Sequence, residues 1–260
     1  MSLRKQEIKI CNREKKADLR KDCMMTTQEL LLTYPRKRRE LPKEYRKIYE
    51  RHYEENRKGK TKISYLSRRL EYWLHKKVAK SAKPDRKTLE IGAGTLNQLD
   101  FERTDIYDII EPFRKLYENS ANLKYVRNIY SDITQIQQEK YDRIISVACF
   151  EHVENLPAMV RTAARLLEPD GKLYISIPNE GRFLWKFAYT MTTGREFKKR
   201  FGLEYETLMR YEHLNTADEI EQILNYYFEH VKRSLLGLGK TFSVYRYYEC
   251  SGSKQERIHH

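Results

Sequence analysis

This chain is poor in the features that would send it out of the cytoplasm. Its four cysteines, Cys11, Cys23, Cys149 and Cys250, lie far apart in no disulfide-type or metal-type spacing. That excludes a disulfide scaffold and a cysteine zinc cluster, and it suits a reducing compartment. No stretch of about 18 apolar residues occurs, which excludes a membrane-spanning helix. The N-terminus lacks the apolar centre of a secretory signal, so a cytoplasmic location is expected. No internal repeat and no oxygen-rich cluster of acids stand out, so no metal is expected. The scattered acids and histidines must do their work by position in a fold.

What the chain has is enough apolar residue, 40% of 260, to bury a full core, with one domain and an appendage as the expectation. Its net charge of +14 is uneven. Residues 1–80 hold 25 of the 51 Lys+Arg and 11 of the 37 Asp+Glu, so the rest carries 26 of each and is neutral. A basic third attracts anionic partners such as phosphates, nucleic acid, acidic carriers or a lipid surface; it also serves as a plain solvated face.

One stretch organises the remainder. Thr88-Leu89-Glu90-Ile91-Gly92-Ala93-Gly94-Thr95-Leu96 reads as a buried strand entering a glycine turn, with a helix expected to begin after the glycines, through Leu96 and Leu99. Glycines without Cβ let the backbone turn tightly and approach a ligand. Strand, glycine turn and helix is the nucleotide cradle of open α/β sheets. A dinucleotide site wants a third glycine where Asn97 stands, which disfavours NAD. Glu90, just before the turn, would repel a pyrophosphate and accept hydrogen bonds from a ligand's amino-acid end.

Other elements follow in order. Thr26-Thr27-Gln28-Glu29 caps a short helix through Leu32. Tyr45, Ile48, Tyr49, His52 and Tyr53 recur at helical spacing after Pro42, and Leu66, Leu70, Trp73, Leu74 and Val78 mark a helix over 63–78. Strands are expected at 87–92, at 107–110 ending on Glu111-Pro112, at 122–127, at 141–149 and at 172–178. Helices are expected over 157–167 and 216–228, and two closing strands over 231–236 and 241–249. Glu111 lies 19 residues beyond Gly92, the distance at which a doubly wound fold places a carboxylate for ribose hydroxyls.

Glu90-x-Gly92-x-Gly94, Glu111, Asp132-Ile133 and strand four with Glu151-His152 agree in order and spacing. Over roughly residues 85–250 the chain resembles the class I S-adenosylmethionine (SAM)-dependent methyltransferases. It is most similar to their small-molecule branch of quinone- and glycan-biosynthesis enzymes. The resemblance implies a Rossmann-like, seven-stranded doubly wound α/β sheet with an antiparallel C-terminal hairpin. It implies SAM as cofactor and S-adenosylhomocysteine (SAH) as product, held by Glu90, Gly92, Ala93, Gly94, Glu111, Pro112, Asp132, Ile133, Ala148 and Cys149. Asp132 would take the adenine amino group and Ile133 would cover the ring. The place after strand four reads Ala148-Cys149-Phe150-Glu151 and departs from the Asn/Asp-Pro-Pro-aromatic element of nucleic-acid amino-methyltransferases.

The domain expectation is a basic helical cap over 1–80, a SAM-binding core over 81–250 with a helical lid over 181–216, and a tail over 251–260. The lid mixes Phe183, Leu184, Trp185, Phe187, Tyr189 and Met191 with Lys198-Lys199-Arg200. That mixture suits a greasy, anionic acceptor, and it equally suits an ordinary helical lid with aromatic core. The acceptor expected is a small or lipid- or carrier-linked hydroxylated molecule methylated at oxygen, with the basic N-terminus available to a membrane surface. Methyl transfer to a hydroxyl needs a proton acceptor. His152, beside the expected sulfonium, and His213 are the catalytic candidates, each also readable as a structural residue. The alternatives are an RNA methyltransferase using the basic N-terminus and a SAM-binding module without catalysis.

Overall fold

The computed structural model describes residues 25–38, 40–46, 48, 65–179, 194–239 and 242–258. Two compact units divide the chain at 33/34. The first contributes helix α1, Thr27–Leu32, closed at its start by a reciprocal capping box between Thr26 and Glu29. Everything below belongs to the unit from Tyr34 onward.

Helix α2 spans Tyr65–Ala79, and strand β1, Thr88–Ile91, is buried at every position. Strand β2 covers Tyr107–Ile110, the one-turn helix α3 Arg114–Tyr117, and strand β3 only Ile129–Tyr130. The third strand thus falls later than expected, because residues 121–125 coil into a 3-10 helix capped by Ser120. Strand β4 is Tyr141–Val147, helix α4 Leu156–Leu166 and strand β5 Leu167–Pro178. Helices α5, Arg195–Phe201, and α6, Tyr205–Glu212, lead to α7, Ala217–Tyr227. Thr216 and Glu219 form the expected capping box of α7. Strands β6, Phe228–Leu238, and β7, Phe242–Ser253, and a final turn α8, Gln255–Ile258, close the chain.

The sheet runs β3-β2-β1-β4-β5-β7-β6. The pairs from β3 to β5 are parallel, and β7 is antiparallel to both β5 and β6. This is the Rossmann-like sheet with an antiparallel C-terminal hairpin. Strand order reverses between β1 and β4, so the crevice at their carboxyl ends is where this architecture takes ligands.

Alternation along the strands sorts the two faces. Thr88, Glu90, Tyr107, Ile109 and Ile145 share the face on which Leu74 and Val78 of α2 pack with Val147, Tyr174 and Tyr247. Trp73 joins that cluster at its margin. Leu66 and Leu70 lie outside the described side chains, as do His52, Tyr53 and the aromatics from Phe183 to Met191 outside the described residues.

Arg143 is the one basic residue of β4. Fully buried, it donates from Nη1 to Glu102 Oε1 at 2.6 Å and from Nη2 to Glu102 Oε2 at 2.9 Å. Its remaining donors reach Ser81 Oγ, Thr88 Oγ1 and the Val78 carbonyl. A guanidinium has five N–H donors, and here they tie the end of α2 to β4.

A second, smaller core holds Leu41, Tyr45, Phe197 and Leu208, with Ile48, Phe201, Leu203, Tyr205 and Tyr211 at its edge. Residues 43–46 are helical, and the stretch after Pro42 shares this small core with α5 and α6. Tyr45 Oη donates to the Glu204 carbonyl at 3.0 Å.

Candidate active site

The turn after β1 is built by two left-handed glycines, Gly92 at φ +74° and Gly94 at φ +51°. They differ in surroundings. A Cβ on Gly92 would meet Cys149 Sγ at 2.4 Å, whereas one on Gly94 would meet nothing within 4 Å. Gly92 is therefore a close-packing glycine between β1 and β4, and Gly94 faces open space. No full helix follows the turn. Leu96 itself is left-handed (φ 66°) and the chain makes one 3-10 turn, Asn97–Asp100. The expected helix fails because Leu96 bends the backbone away from the right-handed path.

Glu111 ends β2 and points at this turn. Its Oε2 accepts the Gly94 N–H and its Oε1 the Phe113 N–H, both at 2.9 Å. Each carboxylate oxygen retains a lone pair for a further donor. Pro112 is exposed beside it. Ile133 is buried, and Asp132 Oδ1 is bonded to the Thr134 N–H at 2.8 Å as the cap of a 3-10 turn. Ala93 is buried in the main core.

Glu90 lies under the turn, 2% exposed, with Oε2 accepting from Tyr107 Oη at 2.8 Å. Burial pushes its carboxyl up to about 8, against the stabilising Tyr107 bond. At neutral pH this acid rests protonated.

Across the switch, Ala148 is exposed with φ +48° and its N–H donates to the Ser176 carbonyl at 2.8 Å. Burial pushes the neighbouring Cys149 thiol up to about 12, with the charge of Glu151 adding to it. Cys149 is thus a neutral thiol and no nucleophile. Phe150–His152 forms a 3-10 turn in which Glu151 is buried.

His152 and His213 meet although 60 residues separate them: their rings are 4.6 Å apart, edge to face. His213 is the C-cap of α6. His152 Nδ1 is 2.9 Å from the Glu212 carbonyl, which can only accept, so Nδ1 bears the proton and Nε2 is left basic. Burial, then the proximity of His213, lowers the pKa of His152 below the usual imidazole value. The imidazole is neutral at physiological pH.

The residue that sequence reading missed is Asn215. Its Nδ2 donates to the carbonyls of Phe150 and Val153, both at 2.8 Å, and its Oδ1 accepts from Tyr34 Oη at 2.7 Å. The N–H groups of Leu214 and Asn215 both reach the Glu151 carbonyl. Arg36 adds an ion pair to Glu219 at 2.7 Å. The only sequence signal for this clasp was the polar Asn215 immediately before a helix cap.

Residues 38–227 match the family model of the methyltransferase domain. The chain therefore belongs to that family, and its sheet has the fold of the SAM-dependent methyltransferases. Among curated proteins it is 27% identical over 71 residues to the ubiquinone biosynthesis O-methyltransferase of Serratia proteamaculans (strain 568), covering 27% of this chain and 30% of that one. Among solved structures it is similar to a SAM-dependent methyltransferase of Thermotoga maritima described as a possible histamine N-methyltransferase. That likeness has 17% identity and a TM-score of 0.50, covering 70% of this chain and 89% of the other. The plantazolicin methyltransferase BpumL shares the fold at 16% identity and a TM-score of 0.50, covering 70% and 81%.

Proposed function

We propose that this protein transfers the methyl group of SAM to an oxygen of a small or lipid- or carrier-linked hydroxylated acceptor. The observation that carries the reading is the pairing of a neutral His152 with His213 just beyond β4, three residues after the Cys149 that packs on Gly92. The relative named above as an O-methyltransferase of ubiquinone biosynthesis supports oxygen as the accepting atom.

The residues present fit the cofactor. Gly94 has open space above it, and Glu111 offers both oxygens at the end of β2 for the two ribose hydroxyls. Ile133 gives an apolar surface for the adenine and Asp132 an acceptor for its amino group. Gly92, Ala93, Pro112, Ala148 and Cys149 supply the walls. Glu90 and the turn face the amino-acid end; an ammonium placed there would draw the proton off Glu90.

SAM supplies an already activated methyl group on a sulfonium. The chain's work is to align the acceptor and remove its proton. With no cation bound, His152 Nε2 would take that proton, and the Glu212 carbonyl would steady the resulting imidazolium through Nδ1–H.

Calorimetric titration with SAH tests the cofactor reading, with Glu111→Ala as the control. We expect one site per chain and a loss of about 1.5–3 kcal/mol in the variant. Equal affinity in a folded Glu111→Ala protein would remove the ribose assignment.

A second reading, an anionic macromolecular partner such as RNA, has one observation behind it. A cleft of about 460 Å³ is lined by Lys77, Lys80, Lys83, Arg86, Lys172 and Lys232, with Glu249 its one acid among the described residues, paired to Lys172 at 2.7 Å. It opens at the amino-terminal edge of β1 and β5, away from the glycine turn. RNA binding that falls steeply with salt would support this reading.

A further inference from the structure

Glu151, His152 and His213 bring three ligating atoms together from two chain segments. One carboxylate oxygen of Glu151 and one ring nitrogen of each histidine all lie within 4.8 Å of one another. Imidazole nitrogen and carboxylate oxygen are the donors that first-row divalent cations accept. Around such an ion, at bond lengths of roughly 2.0–2.2 Å, donors sit roughly 3–4.4 Å apart. Small side-chain rotations therefore suffice to close the set.

The orientation of His152 is the second observation. Its Nδ1–H is held by the Glu212 carbonyl, and Nε2 lies 3.9 Å from Glu151 Oε1. An outer N–H fixed by a backbone carbonyl, with the other nitrogen turned inward, is how metal-bound histidines are held. The third observation is rigidity. The Glu151 carbonyl accepts from Leu214 and Asn215, and the His213 N–H donates to the Met209 carbonyl at 2.9 Å. The clasp of Asn215 on Phe150 and Val153 holds the same turn. The donors stand on fixed backbone, not on free loop tips.

We propose that Glu151, His152 and His213 form a binding site for one first-row divalent cation, of the Zn²⁺ or Mn²⁺ kind, with a coordination position left open to the acceptor's oxygen. Three protein ligands and one open position is the pattern of catalytic zinc. Sequence reading expected no metal because no oxygen-rich cluster stands out; adjacent Glu151-His152 and a distant His213 are assembled only by the fold.

The cation's role deepens the reading of methyl transfer at oxygen and rests on it. A cation-bound hydroxyl loses its proton to solvent near neutral pH. The resulting oxyanion attacks the methyl carbon, the sulfonium leaves as a thioether, and the histidines hold the ion instead of carrying the proton.

The test uses a chain ending at Ile258, so that His259 and His260 take no part, stripped of metal by chelation. It is titrated separately with ZnCl₂, MnCl₂ and SAH, and its visible absorption is recorded with CoCl₂. We expect one equivalent of cation per chain, ligand-field bands with cobalt, and at least tenfold weaker binding in His213→Gln and in Glu151→Gln. SAH binding by each variant shows that it is folded. Should His213→Gln not fold, His152→Gln takes its place. Protein that binds SAH but no cation, or binds cation equally well in the folded variants, overturns the site and leaves the cofactor reading standing. Protein that binds cation at these residues but not SAH supports the site and overturns the cofactor reading.

Discussion

Gly92 and Cys149 touch so closely that a methyl group on the first would lie 2.4 Å from the sulfur of the second. β1 and β4 are held together there with no spare volume. Gly92→Ala should therefore cost about 1–3 kcal/mol in overpacking, on top of about 1–2 kcal/mol for a left-handed alanine. Gly94→Ala should lose only the conformational part, yet weaken SAH binding, because its methyl enters the open side of the turn. Urea unfolding and SAH titration of both variants separate the effects. Equal destabilisation would mean the strands part easily at Cys149.

Glu90 makes stability depend on pH in an unusual direction. Its ordinary value of 4.5 is raised to about 8 in the folded chain by burial. Below the ordinary value both states hold the proton and nothing changes. Between 4.5 and about 8 the unfolded chain releases it and the folded chain keeps it. Folding then loses stability as pH rises, by up to about 1.4 kcal/mol per pH unit from this one group. Glu90→Gln lacks that slope, so its urea midpoint should gain on the wild type from pH 5 to pH 8. Parallel curves would show that Glu90 ionises normally.

Arg143 and Glu102 form a buried pair whose partners cannot be removed singly without cost. Arg143→Met leaves the Glu102 carboxylate buried, and we expect a loss of about 3–5 kcal/mol. Adding Glu102→Leu should restore more than half of it, since an apolar pair of similar volume is tolerated. A double-mutant cycle by chemical denaturation measures the coupling; an additive double mutant would show the two residues to be independent.

The compact unit beginning at Tyr34 sets the outcome of truncation. Removing residues 1–33 should leave the melting temperature of the sheet and its SAH affinity unchanged. Removing residues 1–40 also takes away Tyr34 and Arg36, partners of Asn215 and Glu219. The longer deletion should melt several degrees lower, and scanning calorimetry on the two proteins decides it. Identical melting would mean the clasp around Asn215 needs no N-terminal support.

The local parts of this site were legible because their chemistry is sequential. Glu90, Gly92 and Gly94 sit within five residues, and Glu111 follows at the distance set by one crossover. β3 was misplaced onto 122–127 because Leu123 and Val126 are apolar and strand-like, while Ser120 offered its hydroxyl as a cap to a 3-10 turn instead. The helix through Leu96 was misread because a left-handed leucine leaves no mark in sequence. Pairs that close over long separations, Arg143 with Glu102 and Tyr34 with Asn215, were not legible. Nothing near Arg143 in the sequence names Glu102, 41 residues before it.

Asn215 has one further consequence. A primary amide can give two hydrogen bonds and take two; here both N–H groups go to main-chain carbonyls, and the oxygen takes Tyr34 Oη at 2.7 Å and Arg36 Nη1 at 3.5 Å. The segments that carry His152 and His213 are thereby registered by main-chain bonds and one amide, so the spacing of the two imidazoles is a property of the backbone.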